Sequence, residues 1–250
     1  MDHAAALIEQ TSLLGELGRA ADTSTRVPTC PDWTLRQLLT HVGRGHRWAA
    51  TIVRERPDAP IDPRTVPDGR QPADPVEALT WIRACAASVL DAVAETGPDT
   101  PVWTFLGPRP SAWWVRRRLH EATVHRADVA LALGVDYPLS AALAADGVSE
   151  WLEIVAARAA ADAGPLDPGV TLHLHATDAE TDDTAGEWML RREPAGVSLS
   201  PGHGKATTAV RGRAVDLLLA LTRRRSAEDA GLEVLGDPAV WEGWLARTPY

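Results

Sequence analysis

The spacing of apolar residues changes once along this chain, near Gly164-Pro165, and that change limits the folds open to it. Before it, apolar positions recur three and four apart, as on one face of a helix. After it they alternate, as on a half-buried strand. Residues 3–21 read as a first helix, with Leu7, Leu13, Leu14 and Leu17 near one face. Thr34, with Gln37 three residues on, opens a second as a capping box. Asp74-Pro75-Val76-Glu77 is an N-cap followed by proline and an acid in the first turn, so a third helix runs from there to about Thr96. A fourth starts near Ser111 and ends at Gly134, and a fifth covers Ser140 to about Ala163. Beyond the change come strands at Val170–Ala176, Glu187–Arg192, Gly196–Ser200 and Thr207–Val210. They are followed by a helix at Arg213–Leu221, a short strand at Leu232–Leu235 and a last helix at Pro238–Leu245. Four helices joined by loops make a bundle, and strands followed by helices make a small α+β unit. The expected organisation is therefore a helical domain over 1–164 and an α+β domain over 165–250.

Bulk properties narrow the function. A net charge of −9 argues against a general grip on nucleic acid. There is no apolar run long enough to span a membrane, and the early acids Asp2 and Glu9 do not resemble a secretion signal. Cys30 and Cys85 are far apart, which fits a reducing cytoplasm and excludes a thiolate zinc site. Ten tryptophans are available to fill core or wall a pocket.

The stretch with most chemistry is Arg116-Arg117-Arg118-Leu119-His120-Glu121-Ala122-Thr123-Val124-His125, in the fourth helix. Glu121 and His125 are four apart and share a face. They suit two sides of a metal site, and equally a surface carboxylate–imidazole pair. His120 and His125 are five apart, roughly 140° around the helix at about 100° per residue, so the zinc-protease pattern does not fit. The third ligand chosen is His41, which follows Leu38 by three and precedes Val42, and so points to the packed side of the second helix. Metal sites in bundles are built in this way, from inward side chains on facing helices. Arg117, with its neighbours Arg116 and Arg118, reads either as a clamp for an anionic ligand or as a solvated face. Gly43 and Gly45 weaken their helix and make sense if a ligand or neighbour must come close. His173 and His175 share one face of a strand, where a metal or plain outward polarity would suit them.

Pro28-Thr29-Cys30-Pro31-Asp32-Trp33-Thr34-Leu35-Arg36-Gln37-Leu38-Leu39-Thr40-His41-Val42-Gly43 resembles the first signature of the mycothiol-dependent maleylpyruvate isomerase family. His120-Glu121-Ala122-Thr123-Val124-His125-Arg126-Ala127-Asp128 resembles the second. Val210–Leu221 with Val234-Leu235-Gly236-Asp237 is similar to the C-terminal one. The resemblance implies a DinB-like four-helix bundle holding a divalent metal, zinc by preference, through His41, Glu121 and His125. It also implies a small α+β domain of SCP2-like form after the bundle, and mycothiol as thiol cosubstrate. A cation with an open position favours thiolate over thiol, and thiolate is the nucleophile. The expected function is attack by mycothiol on a small electrophile, as an isomerase or an S-transferase. An anionic substrate needs a guanidinium partner. Arg224 and Arg211 are the candidate catalytic residues, and Arg213 and Arg117 the candidate cofactor contacts. A metal-dependent hydrolase and a non-enzymatic metal-stabilised module are the alternatives, and the chain is expected to act as a monomer or a homodimer.

Overall fold

A computed structural model describes residues 1–159, 164–179 and 186–250. It divides into two compact units, Asp2–Tyr137 and Pro138–Tyr250, the latter with Met1. The sequence reading set the seam near Gly164. The difference lies in the fifth helix, α5 (Ala141–Arg158), which packs on elements that follow it rather than on the helices before it. The expected end of α5 at Ala163 lies outside the described residues.

The first unit is the expected bundle: α1 (His3–Arg19), α2 (Leu35–Glu55), α3 (Pro75–Thr96) and α4 (Trp113–Leu133). α1 packs on α3 and α4, and α2 on α3 and α4. The helix starts form as their caps dictate. Thr34 and Gln37 exchange both capping-box bonds, and the Asp74 side chain accepts from the backbone N–H groups of Val76 and Glu77. Gly134 ends α4 at φ 63, a conformation that suits glycine. Leu14, Leu35, Leu38, Leu39, Val42, Ile82 and Val129 form the shared core. Leu13 turns outward instead.

The connectors carry more structure than the sequence suggested. Residues between α1 and α2 form a hairpin of β1 (Arg26–Val27) and β2 (Cys30–Thr34) that runs directly into α2. The loop before α4 holds a second small hairpin, β3 (Pro101–Val102) with β4 (Arg109–Pro110). The proline-rich stretch between α2 and α3 is pinned by indole donors: Trp48 Nε1 to the Ile61 carbonyl at 2.9 Å and Trp81 Nε1 to the Asp68 carbonyl at 2.7 Å.

The second unit sets α5, α6 (Ala214–Leu221) and α7 (Pro238–Arg247) with one five-stranded sheet. Its order is β7 (Gly196–Pro201), β6 (Glu187–Glu193), β5 (Thr171–Ala176), β8 (Thr208–Gly212) and β9 (Glu233–Gly236). Only the β5–β8 pair is parallel. The alternation in β5 predicts a half-exposed strand, yet Thr171 to Leu174 are all buried. β5 is the central strand, so both its faces are covered, and a histidine supplies one of them. No helix among the described residues is long and apolar enough to cross a membrane.

A helix glycine usually costs stability, and Gly43 shows what it is for. A Cβ there would collide with the ring of Trp81, whose indole is itself tied to Asp68. Gly43→Ala should gain up to about 1 kcal/mol of helix propensity and lose about 1–3 kcal/mol to overpacking. The expected net result is a lower melting temperature by circular dichroism. An unchanged or higher one would show that Trp81 moves aside freely.

Candidate metal centre

Glu121 sits one turn before His125 on α4, and His41 projects toward both from α2. The Glu121 Oε1 atom is 3.1 Å from His41 Nε2 and 3.4 Å from His125 Nε2. One ligand atom from each residue lies within 4.8 Å of the others. A tetrahedral ion with bonds of about 2.0–2.1 Å sets its ligand atoms about 3.3 Å apart, so the trio has the spacing a small divalent cation needs. His120 stays outside it, as the angle around the helix requires.

The orientation of His125 comes from a residue to which the sequence reading gave no role. Asp128, three positions on and fully buried, takes the His125 Nδ1 proton at 2.8 Å. That leaves the Nε2 lone pair directed at the trio, the usual arrangement for a metal-binding histidine. Asp128 is held in turn by the Thr29 hydroxyl, which donates to its Oδ1 at 2.6 Å from the β1–β2 turn. The spacing His125-x-x-Asp128 was the available signal. Trp33, at the end of the same hairpin, lays its ring against His41 with centroids 4.8 Å apart.

The arginine run resolves differently from either reading made for it. Arg117 and Arg118 are both buried, so this is no solvated face. Arg117 donates to Glu121 Oε2 at 2.8 Å, and Arg118 stands 4.0 Å from Oε1. Arg118 also donates to His46 Nδ1 at 3.3 Å and to the Val42 carbonyl, while His46 Nε2 meets the Thr11 hydroxyl at 3.2 Å. Gly45 makes room for it, since a Cβ there would lie 2.5 Å from the guanidinium. The glycine thus admits a neighbouring side chain, one of the two uses the sequence suggested.

Charge follows from this packing. Burial alone would raise the Glu121 carboxyl, but bonds from His125 and His41 and the charges of Arg118 and Arg117 hold it well below the usual carboxylate range. Burial lowers His41, and its bond to Glu121 only partly offsets that. Burial also works against the charged form of His125, but Asp128 and Glu121 outweigh it and its pKa rises. The centre therefore presents a fixed carboxylate, one imidazole, His125, drawn to positive charge, and another, His41, pushed toward its neutral form. Burial pushes the Cys85 thiol up to about 11, so it is no nucleophile.

A cavity of about 450 Å³ opens beside Glu121 and His41, within the roughly 300–1,000 Å³ usual for small-molecule sites. Trp48, Phe105 and Trp114 form its apolar wall, and Arg44 and Arg64 line its polar side with Asp62. Arg44 donates to the Gly69 carbonyl. Among the described residues neither Arg44 nor Arg64 has a carboxylate partner. The loop bearing Arg64 and the phenylalanine of the pre-α4 loop were not legible as site residues.

The three arginines expected from the C-terminal half lie in the second unit. Arg211 stands on β8, 3.8 Å from Glu233. Arg213 precedes α6, 3.5 Å from Asp178. Arg224 donates to the Thr222 carbonyl and lies over the Tyr250 ring, 4.7 Å from its centroid.

Fold and site together define a two-unit protein with a His-Glu-His centre inside a helical bundle. The model of the mycothiol maleylpyruvate isomerase N-terminal domain matches residues 4–130, and the C-terminal domain model of that family matches 142–243. The chain belongs to the mycothiol maleylpyruvate isomerase family, a family of enzymes. A crystal structure of the mycothiol-dependent maleylpyruvate isomerase superposes with a TM-score of 0.54, at 15% identity over 94% of this chain and 92% of that one. A histidine-to-alanine mutant of that enzyme gives 0.58 at the same identity and coverage. At such identity the likeness is one of fold. No curated protein matches the sequence.

If Asp128 sustains the basicity of His125, Asp128→Asn should lower the His125 pKa in the metal-free protein. Ring-proton NMR titration measures this directly, and an unmoved midpoint would show that Glu121 alone sets it.

Proposed function

We propose that the chain is a mycothiol-dependent enzyme whose bundle centre holds a divalent cation, zinc by preference, and whose substrate is a small electrophile bearing a carboxylate. The observation that carries this is the convergence of His41, Glu121 and His125 beside a cavity with two unpaired guanidinium groups, in a chain of this family. His41, Glu121 and His125 would hold the ion, leaving a side open toward the cavity as catalytic sites require. When bound, the cation supplies Lewis acidity that favours thiolate over thiol.

The protein's own groups do the rest. Asp128 keeps the proton on His125 Nδ1, so that the Nε2 lone pair is left to bind a cation. Arg117 and Arg118 hold Glu121 as a carboxylate and fix its rotamer. Arg44 and Arg64 orient a substrate carboxylate, and the Trp48–Trp114 wall excludes water from its carbon skeleton. The mycothiol sulfur adds to an activated C=C carbon, forming an S–C bond while the π electrons move to the neighbouring carbonyl. Rotation about the new single bond and return of the electrons expel the thiol, which completes an isomerisation. Protonation of the adduct instead leaves an S-conjugate. A thiol of this kind places the enzyme in a reducing cytoplasm.

His41→Ala and His125→Ala should each lower the zinc content by one ion per chain, measured by elemental analysis, while far-UV circular dichroism stays unchanged. Thiol-dependent turnover of an unsaturated oxo-acid panel should fall by at least about 10³-fold, an order expected when electrostatic catalysis is lost. Arg64→Ala should raise KM for the carboxylate substrate and leave zinc content intact. Full turnover without thiol would replace this reading with metal-dependent hydrolysis. A zinc stoichiometry unchanged from wild type in both histidine variants would remove its basis.

A further inference from the structure

A second knot of imidazoles surrounds a carboxylate in the α+β unit. His173 and His175 alternate on β5 and so share a face of the sheet. His175 pairs directly with Glu187 at the start of β6, and His173 lies one step along the diagonal. His203 arrives from the turn after β7, whose Gly202 N–H is bonded to the Glu187 carbonyl. Glu187 Oε2 is 3.2 Å from His173 Nε2 and 3.1 Å from His203 Nδ1, and Oε1 is 3.5 Å from His175 Nε2. These spacings match those of the bundle centre and the edge of about 3.3 Å of a tetrahedral zinc site.

Two further observations separate this knot from chance polarity. Among the described residues, no lysine or arginine pairs with Glu187, whose side-chain partners are three imidazoles. A carboxylate on a sheet face with that company lacks a permanent counter-charge, and a divalent ion supplies one. Second, His173 is buried while its nearest ligating neighbour, His203, is 80% exposed. The loop carrying His203 bends back over the sheet, bringing Gly204 against Met189. Its far end is anchored by paired bonds between Thr207 and Thr171, one at 2.8 Å. The backbone thus delivers an otherwise solvent-facing imidazole to the one place where three others of the ligand set converge.

We infer that His173, His175, Glu187 and His203 form a second divalent-cation site of zinc class, which fastens the 202–206 loop to the sheet. His173, His203 and one Glu187 oxygen supply three positions, and His175 stands beside the other carboxylate oxygen. The site does not depend on the bundle centre or on the activity proposed for it.

The chain provides its own reporter. Lys205, two residues past His203, is the single lysine in the sequence. A lysine-specific endoprotease therefore has one cleavage point, inside the loop that the ion would fasten. In the full-length protein, equilibrium dialysis against zinc should give two ions per chain. Either His203→Ala or Glu187→Gln should reduce that by one, and His41→Ala with His125→Ala should leave one. Zinc should slow cleavage at Lys205 at least tenfold in wild type, and should not slow it in His203→Ala under the same zinc concentration. His203 is exposed enough that its removal leaves the fold intact. If the bundle centre bound nothing, the total would be one ion, still lost on changing His203 or Glu187. A stoichiometry that ignores those two residues, or equal cleavage rates with and without zinc in wild type, would overturn the inference.

Discussion

A carboxylate buried in the middle of a helix bundle must be compensated, and the first unit is arranged around compensating Glu121. Removing an ionised carboxylate from water costs several kcal/mol even after relaxation. Two guanidinium groups and two imidazoles surround Glu121, which keeps 18% of its side chain exposed toward the cavity. Arg118 and His125 are held in turn by other groups. Arg118 reaches back to His46 and the Val42 carbonyl, and His46 reaches Thr11, so the polar chain crosses α4, α2 and α1. Asp128 holds His125 and is held by Thr29 in the β1–β2 turn. The bundle and its hairpin are thereby locked to one register by a polar network that no apolar repacking would preserve.

That network also explains what the sequence could and could not show. Glu121 and His125 were readable because four residues is one helical turn, and the caps at Thr34 and Asp74 were readable because they act locally. His41 was readable from its place between Leu38 and Val42 on a packed face. The difficulty lay with α4 itself. It is buried on nearly every side, with Arg117, Arg118, His120 and Arg126 turned inward. A helix with charges on its packed side has no clean apolar stripe, so periodicity cannot tell a solvated arginine from a buried one. The partners that decide the matter, His46 and Val42 for Arg118, lie more than seventy residues away.

The same limit applied to the connectors. Pro28 and Pro31 mark a break, but the hairpin between them depends on pairing across a bulge and on Thr29 meeting Asp128. The long stretch after α2 lacks any apolar period, and it is fixed by two indole N–H groups and by Arg44 donating to Gly69. Composition marked these segments as loops without indicating that one of them brings Arg64 to the cavity wall. In β5 the alternation was real, but its place at the centre of the sheet buried the polar face as well. Position in a sheet is a tertiary property, and the pattern of a single strand does not carry it.

The two imidazole–carboxylate clusters use the same donor types to opposite ends. In the bundle, His41 and Glu121 line a cavity, and His125 beside them is set by a buried carboxylate behind it. That combination suits chemistry, because an open position is useful only if the other ligands do not drift to fill it. On the sheet, His173, Glu187 and His203 converge with His175 beside them, and no second carboxylate stands behind any of the imidazoles among the described residues. One of them rides on an exposed loop. The two clusters thus differ in how each imidazole is held and in what it faces, and not in residue type.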